Sequence, residues 1–251
     1  ARYRSGTLRA HRALYFVDAR QSLHLSQVFA VARAAGLVRA DLELEHCAFG
    51  VMLGRDKRPF RTREGGTVKL HELLDEGERR ARALLAERAG NDQARGEVRA
   101  PAEDQEAIVH AVSVAAIKYA DLAKHRTSDY VFDWDTMLTF EGNTGPYLLY
   151  AVTRLHSLFR RAGAAPDLDA PLDPREPAEI ALAAKLAQFG EILAQTADEA
   201  CPHVLCGWLH ETATAFSTFY EHCPVLKADD AVRDARLALC AHALARLRCG
   251  V

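Results

Sequence analysis

No run of ~18–20 uninterrupted apolar residues occurs in this sequence, so a membrane-spanning helix has nothing to be built from and no membrane partner is expected. No charged-then-apolar leader opens it, and a cytoplasmic setting is the expectation. The six cysteines (Cys47, Cys201, Cys206, Cys223, Cys240 and Cys249) form no CxxC pair, and five of them lie late, in apolar contexts. Buried free thiols in a reducing compartment fit that pattern better than disulfides or zinc, so no structural metal is expected. The GxxxxGK[ST] loop is absent, which sets aside the Walker A way of cradling phosphates. Glycine (15) and proline (9) follow no period, which excludes a fibrous repeat. What is present, 49% hydrophobic and 26% charged in 251 residues, suits one large globular domain or two modest ones.

Lysine is scarce, 6 against 26 arginines, and the net charge of −2 hides an asymmetry. Residues 1–100 hold 19 cations against 13 carboxylates, whereas residues 101–251 hold 13 against 21. The whole-chain charge neither demands nor excludes a nucleic-acid partner, and local clusters must decide.

The N-terminal third alternates strand and helix. Ala13 to Asp18 is a short apolar, aromatic and β-branched run that reads as a buried strand of a parallel sheet. From Ser22 the apolar period lengthens through Leu25, Val28, Phe29, Ala32 and Ala35, and Gly36 is placed to end that helix. Glu43 to Met52 then alternates loosely as a second strand. In open α/β sheets ligands bind at the carboxyl ends of the strands, which draws attention to the turn after Asp18. There Gln21, His24 and Gln27 share one helix face, either as ligand contacts or as a solvated face capped by Ser22. Arg55, Lys57, Arg58, Arg61 and Arg63 put five cations within nine residues, just before Gly65-Gly66. Cations beside a glycine loop suit a triphosphate, and an exposed basic hairpin would look the same.

The remainder reads as helical. Leu70 to Ala89 and Ala102 to Ala120 carry apolar residues at helical spacing, with a polar linker from Asn91 to Pro101 between them. Lys118 to Tyr130 mixes cations with two tyrosines, which suits either a nucleic-acid backbone or a helix C-terminus. Thr144-Gly145-Pro146 opens a helix that runs to Gly163. Leu148, Val152, Leu155 and Phe159 form its core stripe, while Tyr147, Tyr150, Arg154 and Arg161 fall on the other side. Tyrosines aligned with arginines offer stacking faces beside phosphate ligands, as single-stranded RNA loops require; a second packed interface is the alternative. After a Pro- and Asp-rich connection (166–177), helices are expected at Pro177–Asp198, Val204–Tyr220 and Asp229–Arg248, the last capped by Asp229.

These motifs together resemble the C-terminal portion of the arginyl-tRNA synthetase family, which belongs to the class I aminoacyl-tRNA synthetases. The likeness rests on Ala13–Gln27, Phe49–Leu70 and above all the run from Asp129 to Tyr147. It continues through Phe219–Leu226 and Asp234-Ala235-Arg236-Leu237, which matches the DALR signature of the family's anticodon-binding domain. The resemblance implies a mostly α fold, a helical anticodon-binding bundle preceded by the remnant of a Rossmann-like α/β domain. It implies a ligase that activates L-arginine with ATP (and Mg2+) and attaches it to tRNA(Arg), acting as a monomer. Gln21 matches an arginine-binding residue, and His46, Phe49, Gly50, Val51 and Met52 match the segment lying against adenine. Phe60 to Gly66 stands where class I enzymes carry the KMSKS loop; its signature lysines are absent, leaving Lys57, Arg61 and Arg63 as candidates for the catalytic charge. Tyr147, Tyr150 and Tyr220 match anticodon-contact tyrosines, and Arg154 shares their face.

The expected division is 1–75 for the end of the catalytic domain, 76–139 for a connecting region that contacts the tRNA stem, and 140–251 for the anticodon-binding bundle, short of its usual C-terminus. No HIGH segment is found, nor the upstream Tyr and Asp that hold arginine in the family, so the expectation is an internal piece that is inactive alone. A stand-alone, catalytically inactive paralogue that binds RNA is the alternative. Cations on a triphosphate act mainly in the transition state. Replacing Lys57, Arg61 and Arg63 together by Ala in a complete enzyme is therefore expected to lower kcat for adenylate formation more than ATP or tRNA affinity. Equal losses in kcat and tRNA affinity, measured by pyrophosphate exchange and filter binding, would reassign the loop to tRNA contact.

Overall fold

The computed structural model describes residues 1–58, 69–94 and 104–250, with the backbone alone for 88–94. Arg61, Arg63 and the Gly65-Gly66 pair lie outside the described residues, as do 95–101 of the expected linker. The chain divides into two compact units, Ala1–Phe60 with Lys124–Phe132, and Arg61–Ala123 with Asp133–Val251.

The first unit opens with a short helix α1 (Arg2–Gly6), followed by β1 (Arg12–Asp18), a 3-10 turn at Ala19–Gln21, α2 (Ser22–Ala34) and β2 (Glu43–Phe49). β1 and β2 pair in parallel, from Arg12 opposite Glu43 to Asp18 opposite Phe49. A parallel pair needs a crossover, and α2 supplies it, ending before Gly36 at φ +63. The Tyr15 and Phe29 rings meet at 5.0 Å, so α2 covers the face that carries Ala13 and Tyr15. Leu14 and Phe16 point the other way, and Phe16 is 52% exposed, which corrects the expectation of a strand buried throughout. The reason is the period of two: a sheet covered on one face leaves alternate side chains on the other. The second strand also ends earlier than expected. After Phe49 the Gly50 N–H donates to the Arg126 carbonyl (2.9 Å) and the Val51 N–H to Asp129 Oδ1 (2.7 Å), which turns the chain away from β1. Met52 and Leu53 then form β3 (Met52–Leu53), parallel to β4 (Tyr130–Val131).

The second unit is helical. α3 (Leu70–Ala94) and α4 (Gln105–Leu122) lie antiparallel, cross-linked by Arg82–Glu106 (2.6 Å) and His110–Glu78 (2.7 Å). Thus α3 outruns its expected end, and 91–94 belong to the helix rather than to the linker. Their close approach is set by Gly77, where a Cβ would lie 2.5 Å from Ser113 Oγ. α5 (Trp134–Met137) is a single turn capped by Asp133, whose Oδ1 accepts the Asp135 N–H. α6 (Gly145–Ala162) follows, capped by Thr144, whose Oγ1 accepts the Tyr147 N–H (3.2 Å), and ended by Gly163 at φ +64. α7 (Pro177–Ala187), α8 (Phe189–Glu199), α9 (Pro202–His222) and α10 (Asp230–Gly250) complete the bundle.

One long helix was expected at Pro177–Asp198, and the chain breaks it at Gln188. The Trp208 indole N–H donates to the Lys185 carbonyl (3.0 Å), the acceptor a continuous helix would offer to Phe189, and the Phe189 ring packs on Trp208 at 5.0 Å. Tertiary packing overrides local propensity here. The core gathers Leu148, Leu155 and Phe159 of α6, Leu182 and Leu186 of α7, Phe216 and Phe219 of α9, and Leu239, Leu244 and Leu247 of α10. Each such side chain contributes roughly 1.5–3 kcal/mol by leaving water. Val152 is only half-buried beside this core. Five cysteines are buried and free, but Cys249, in the last turn of α10, is exposed, contrary to the uniform burial expected. Burial pushes the Cys206 thiol to about 11 and that of Cys240 to about 12, which keeps both protonated and inert.

The DALR-like segment has a structural task. Arg236 Nε donates to Glu179 Oε1 (2.6 Å), and its Nη1 donates to the Pro224 carbonyl (2.8 Å), so α10 is tied to the start of α7. Glu179 Oε2 accepts the backbone N–H of Arg175 (2.7 Å) and of Glu176 (3.0 Å). Burial alone would raise the Glu179 carboxyl, but those N–H groups and the guanidinium outweigh it and hold the group below its ordinary 4.5. A lowered folded value means that stability is present above the ordinary carboxylate range and is lost as pH falls through the folded value. Arg236→Ala leaves a buried carboxylate without its cation and is expected to cost about 3 kcal/mol at pH 7. Urea melts should show the gap between wild type and variant shrinking towards pH 3; a gap independent of pH would show that the carboxylate is not what Arg236 serves.

Candidate functional site

In the first unit the residues singled out for small ligands gather at one edge. Asp18 and Phe49 are register partners at the carboxyl ends of β1 and β2, and Gln21 follows on the 3-10 turn, exposed. Asp18 Oδ1 accepts the Arg20 N–H (2.8 Å) and the Arg20 side chain chelates the same carboxylate. The Arg20 guanidinium and N–H hold the Asp18 carboxyl at about 2, so it stays ionised. His46 Nε2 lies 2.9 Å from the Val17 carbonyl, and since a carbonyl only accepts, Nε2 carries the hydrogen. That bond fixes the imidazole across the strand pair. Phe49 is 42% exposed. A Cβ at Gly50 would fall 2.3 Å from the Ser128 carbonyl oxygen, so only glycine lets residues 124–132 close on the end of β2. Arg126 Nη1 donates to the Ala48 carbonyl (2.6 Å) and reinforces that closure. Val51 and Met52 are half-buried in the same turn. Lys57 sits in a tight turn, where its N–H donates to Gly54 O (2.9 Å), at φ +57. That is a left-handed conformation which non-glycine residues rarely adopt.

In the second unit the expected Tyr/Arg surface lies on α6 and α9, and its members have different surroundings. The Arg154 guanidinium carbon stands 5.6 Å from the Tyr150 ring centre and 4.5 Å from that of Tyr220, so the cation bridges two aromatic rings. Among the described residues no carboxylate forms an ion pair with Arg154. Its N–H donors therefore remain available beside the rings. Tyr147 is different: it meets the edge of His210 at 5.6 Å, and its Oη lies 3.4 Å from Ser217 Oγ, so it belongs to the α6–α9 seam. Arg161, two turns beyond Arg154, is exposed. His210 and Ser217 escaped the sequence reading, although with Tyr220 they form a polar line along α9 at helical spacing. Tyr119, read from sequence as part of a cation-rich segment, is buried in the bundle core.

Among the described residues no three His, Cys, Asp or Glu side chains converge as a metal site, and no helix is long and apolar enough to cross a membrane.

Residues 1–134 match the family profile described as tRNA synthetases class I (R), catalytic domain, and residues 148–250 match the DALR anticodon binding domain. The arginine–tRNA ligase of Pseudomonas paraeruginosa is 54% identical over 242 residues, covering 96% of this chain and 41% of that protein. The arginyl-tRNA synthetase structure from Plasmodium falciparum superposes with a TM-score of 0.80 at 28% identity, over 99% of this chain and 41% of that one. That of Thermus thermophilus gives 0.78 at 31% identity, over 96% and 39%. The chain thus spans about two fifths of the length of the relatives it matches.

The tight closure at Gly50 can be tested by adding one methyl group. Gly50→Ala must push back the Ser128 carbonyl, and overpacking of this kind costs about 1–3 kcal/mol. The amide hydrogens of Tyr130 and Phe132, which donate to Val51 and Leu53, should then exchange about ten- to a hundredfold faster. Unchanged protection there would mean that the turn adapts without loss.

Proposed function

The chain belongs to the class I tRNA synthetase family that its first 134 residues match, and from that premise we propose that it is part of an arginine–tRNA ligase. In this reading arginine is activated by ATP, which enters with its Mg2+ as substrate, and arginine is then transferred to tRNA(Arg). Residues 1–75 form the end of the catalytic domain, 76–139 a connecting region on the tRNA stem, and 140–251 the anticodon-binding bundle. Gln21 binds arginine, while His46, Phe49, Gly50, Val51 and Met52 receive the adenine. Lys57, Arg61 and Arg63 supply charge to the phosphates. The setting is the cytoplasm and the chain acts as a monomer.

The observation that carries the RNA half of this reading is the Arg154 guanidinium bracketed by Tyr150 and Tyr220. Two aromatic faces beside a cation with unused donors suit an unpaired base next to its phosphate. The ring of Tyr147, held in the α6–α9 seam, contributes from one side. Because residues 101–251 carry more carboxylates than cations, no broad positive field assists association, and affinity rests on these local contacts.

Losing a stacking ring should cost ~1–3 kcal/mol of RNA binding, so Tyr150→Ala and Tyr220→Ala should weaken the complex, whereas the Phe variants stay near wild type. Arg154→Ala should also flatten the dependence of affinity on salt. The measurement is fluorescence anisotropy of an anticodon stem–loop of tRNA(Arg) with each variant at two salt concentrations. Folded Ala variants that bind like wild type would move the RNA surface elsewhere.

A further inference from the structure

Two rings on different helices can bracket one guanidinium only while the helices keep their relative placement. Apolar packing is non-directional and tolerates small slides, whereas a hydrogen bond does not. Where α4, α9 and the segment leading into α6 meet, one side chain links all three. Tyr119 of α4 is 7% exposed, and its Oη lies 2.5 Å from Asn143 Oδ1 and 2.8 Å from the Cys206 carbonyl. Asn143 immediately precedes the Thr144 cap of α6, and Cys206 lies in the first turns of α9. The hydroxyl has one proton, which these two oxygens share. Beside it, α6 rests on the backbone of α4, because a Cβ at Gly145 would fall 2.3 Å from the Ala115 carbonyl oxygen. Ala115 stands one turn before Tyr119, so both contacts use the same face of α4.

We propose that Tyr119 is a positioning residue, whose hydroxyl holds the start of α6 against α9 and so sets the spacing of Tyr150 and Tyr220 about Arg154. The inference rests on the reading of that stack as the RNA platform. Leverage makes the pin effective. Tyr220 lies some 21 Å along the axis from Cys206, so a tilt of about 3° there displaces the ring by about 1 Å. A ring displaced by that much no longer meets the same face of the cation or of a base. Tyr119 touches no RNA in this arrangement and acts through the two helices it joins.

The experiment uses the whole chain and the anticodon stem–loop as probe. Tyr119→Phe keeps the ring and removes only the hydroxyl, and Asn143→Ala removes one acceptor at an exposed position. Each should weaken RNA binding by between about threefold and tenfold in protein that circular dichroism shows to be folded. A purely structural role would add the same factor in any background. A positioning role predicts that Tyr119→Phe weakens binding less once Tyr150→Ala has already removed the platform. Wild-type affinity in folded Tyr119→Phe and Asn143→Ala, beside a weakened Tyr150→Ala, overturns this inference and leaves the RNA reading standing. Full additivity with Tyr150→Ala overturns it as well. Wild-type affinity in Tyr150→Ala overturns both. If Tyr119→Phe does not fold, Asn143→Ala decides by the same criteria.

Discussion

The absence of a side chain at Gly145 lets the first turn of α6 lie directly on the carbonyl of Ala115. Much of the second unit follows from that approach. With α6 seated, its apolar stripe of Leu148, Leu155 and Phe159 is committed to the core formed with α7, α9 and α10. The neighbouring stripe then lies along α9 as well, where Tyr147 meets His210 and Ser217, and Arg154 reaches Tyr220. Proline at the next position locks φ for the helical start, and Thr144 satisfies a free N–H of the first turn. A short sequence thus combines a cap, a close approach and a preset backbone angle, and side chains several turns away inherit their positions from it.

The first unit is organised on a different principle. A parallel strand pair must be joined by a crossover, and both strands then deliver their carboxyl ends to one edge. Asp18, Gln21, Phe49 and Gly50 lie at that edge because of topology rather than any contact among their side chains. Glycine matters here as well, but for closing a return segment rather than seating a helix: Gly50 admits residues 124–132 against the end of β2. Leu14 and Phe16 remain on the uncovered face of the pair.

The sequence made some of this legible. Thr144-Gly145-Pro146, Gly36 and Gly163 punctuate helices for reasons visible in single residues, and the structure has boundaries at each. The βαβ order was readable because the apolar period changes from two to that of a helix between Asp18 and Ser22. The two stripes of α6 were readable from spacing alone. What escaped depended on long-range partners. Gln188 carries no helix-breaking chemistry, and the interruption there comes from the Trp208 indole, which reaches the Lys185 carbonyl from 23 residues away in sequence. Tyr119 sits among cations in the sequence and among apolar side chains in space, since the helix turns its ring inward and leaves its charged neighbours out. Nor could spacing separate Tyr147 from Tyr150. Both lie on the same side of α6, and only the position of α9 makes one a seam residue and the other a neighbour of Arg154.

The first unit is not continuous along the chain: sixty-three residues, Arg61–Ala123, separate its two parts. That has a consequence for the order of folding. β1, α2 and β2 are local in sequence and can collapse early, but β4 can join β3 only after a long loop has closed. The antiparallel α3–α4 pair shortens that search, because two helices paired with each other take most of the intervening residues out of the flexible loop. During synthesis β3 therefore emerges well before its partner strand and waits, unpaired, until the intervening hairpin has assembled. Pairing of this two-stranded edge is thus the long-range event of the first unit, and the length of loop it must close is set by helices that belong to the other unit.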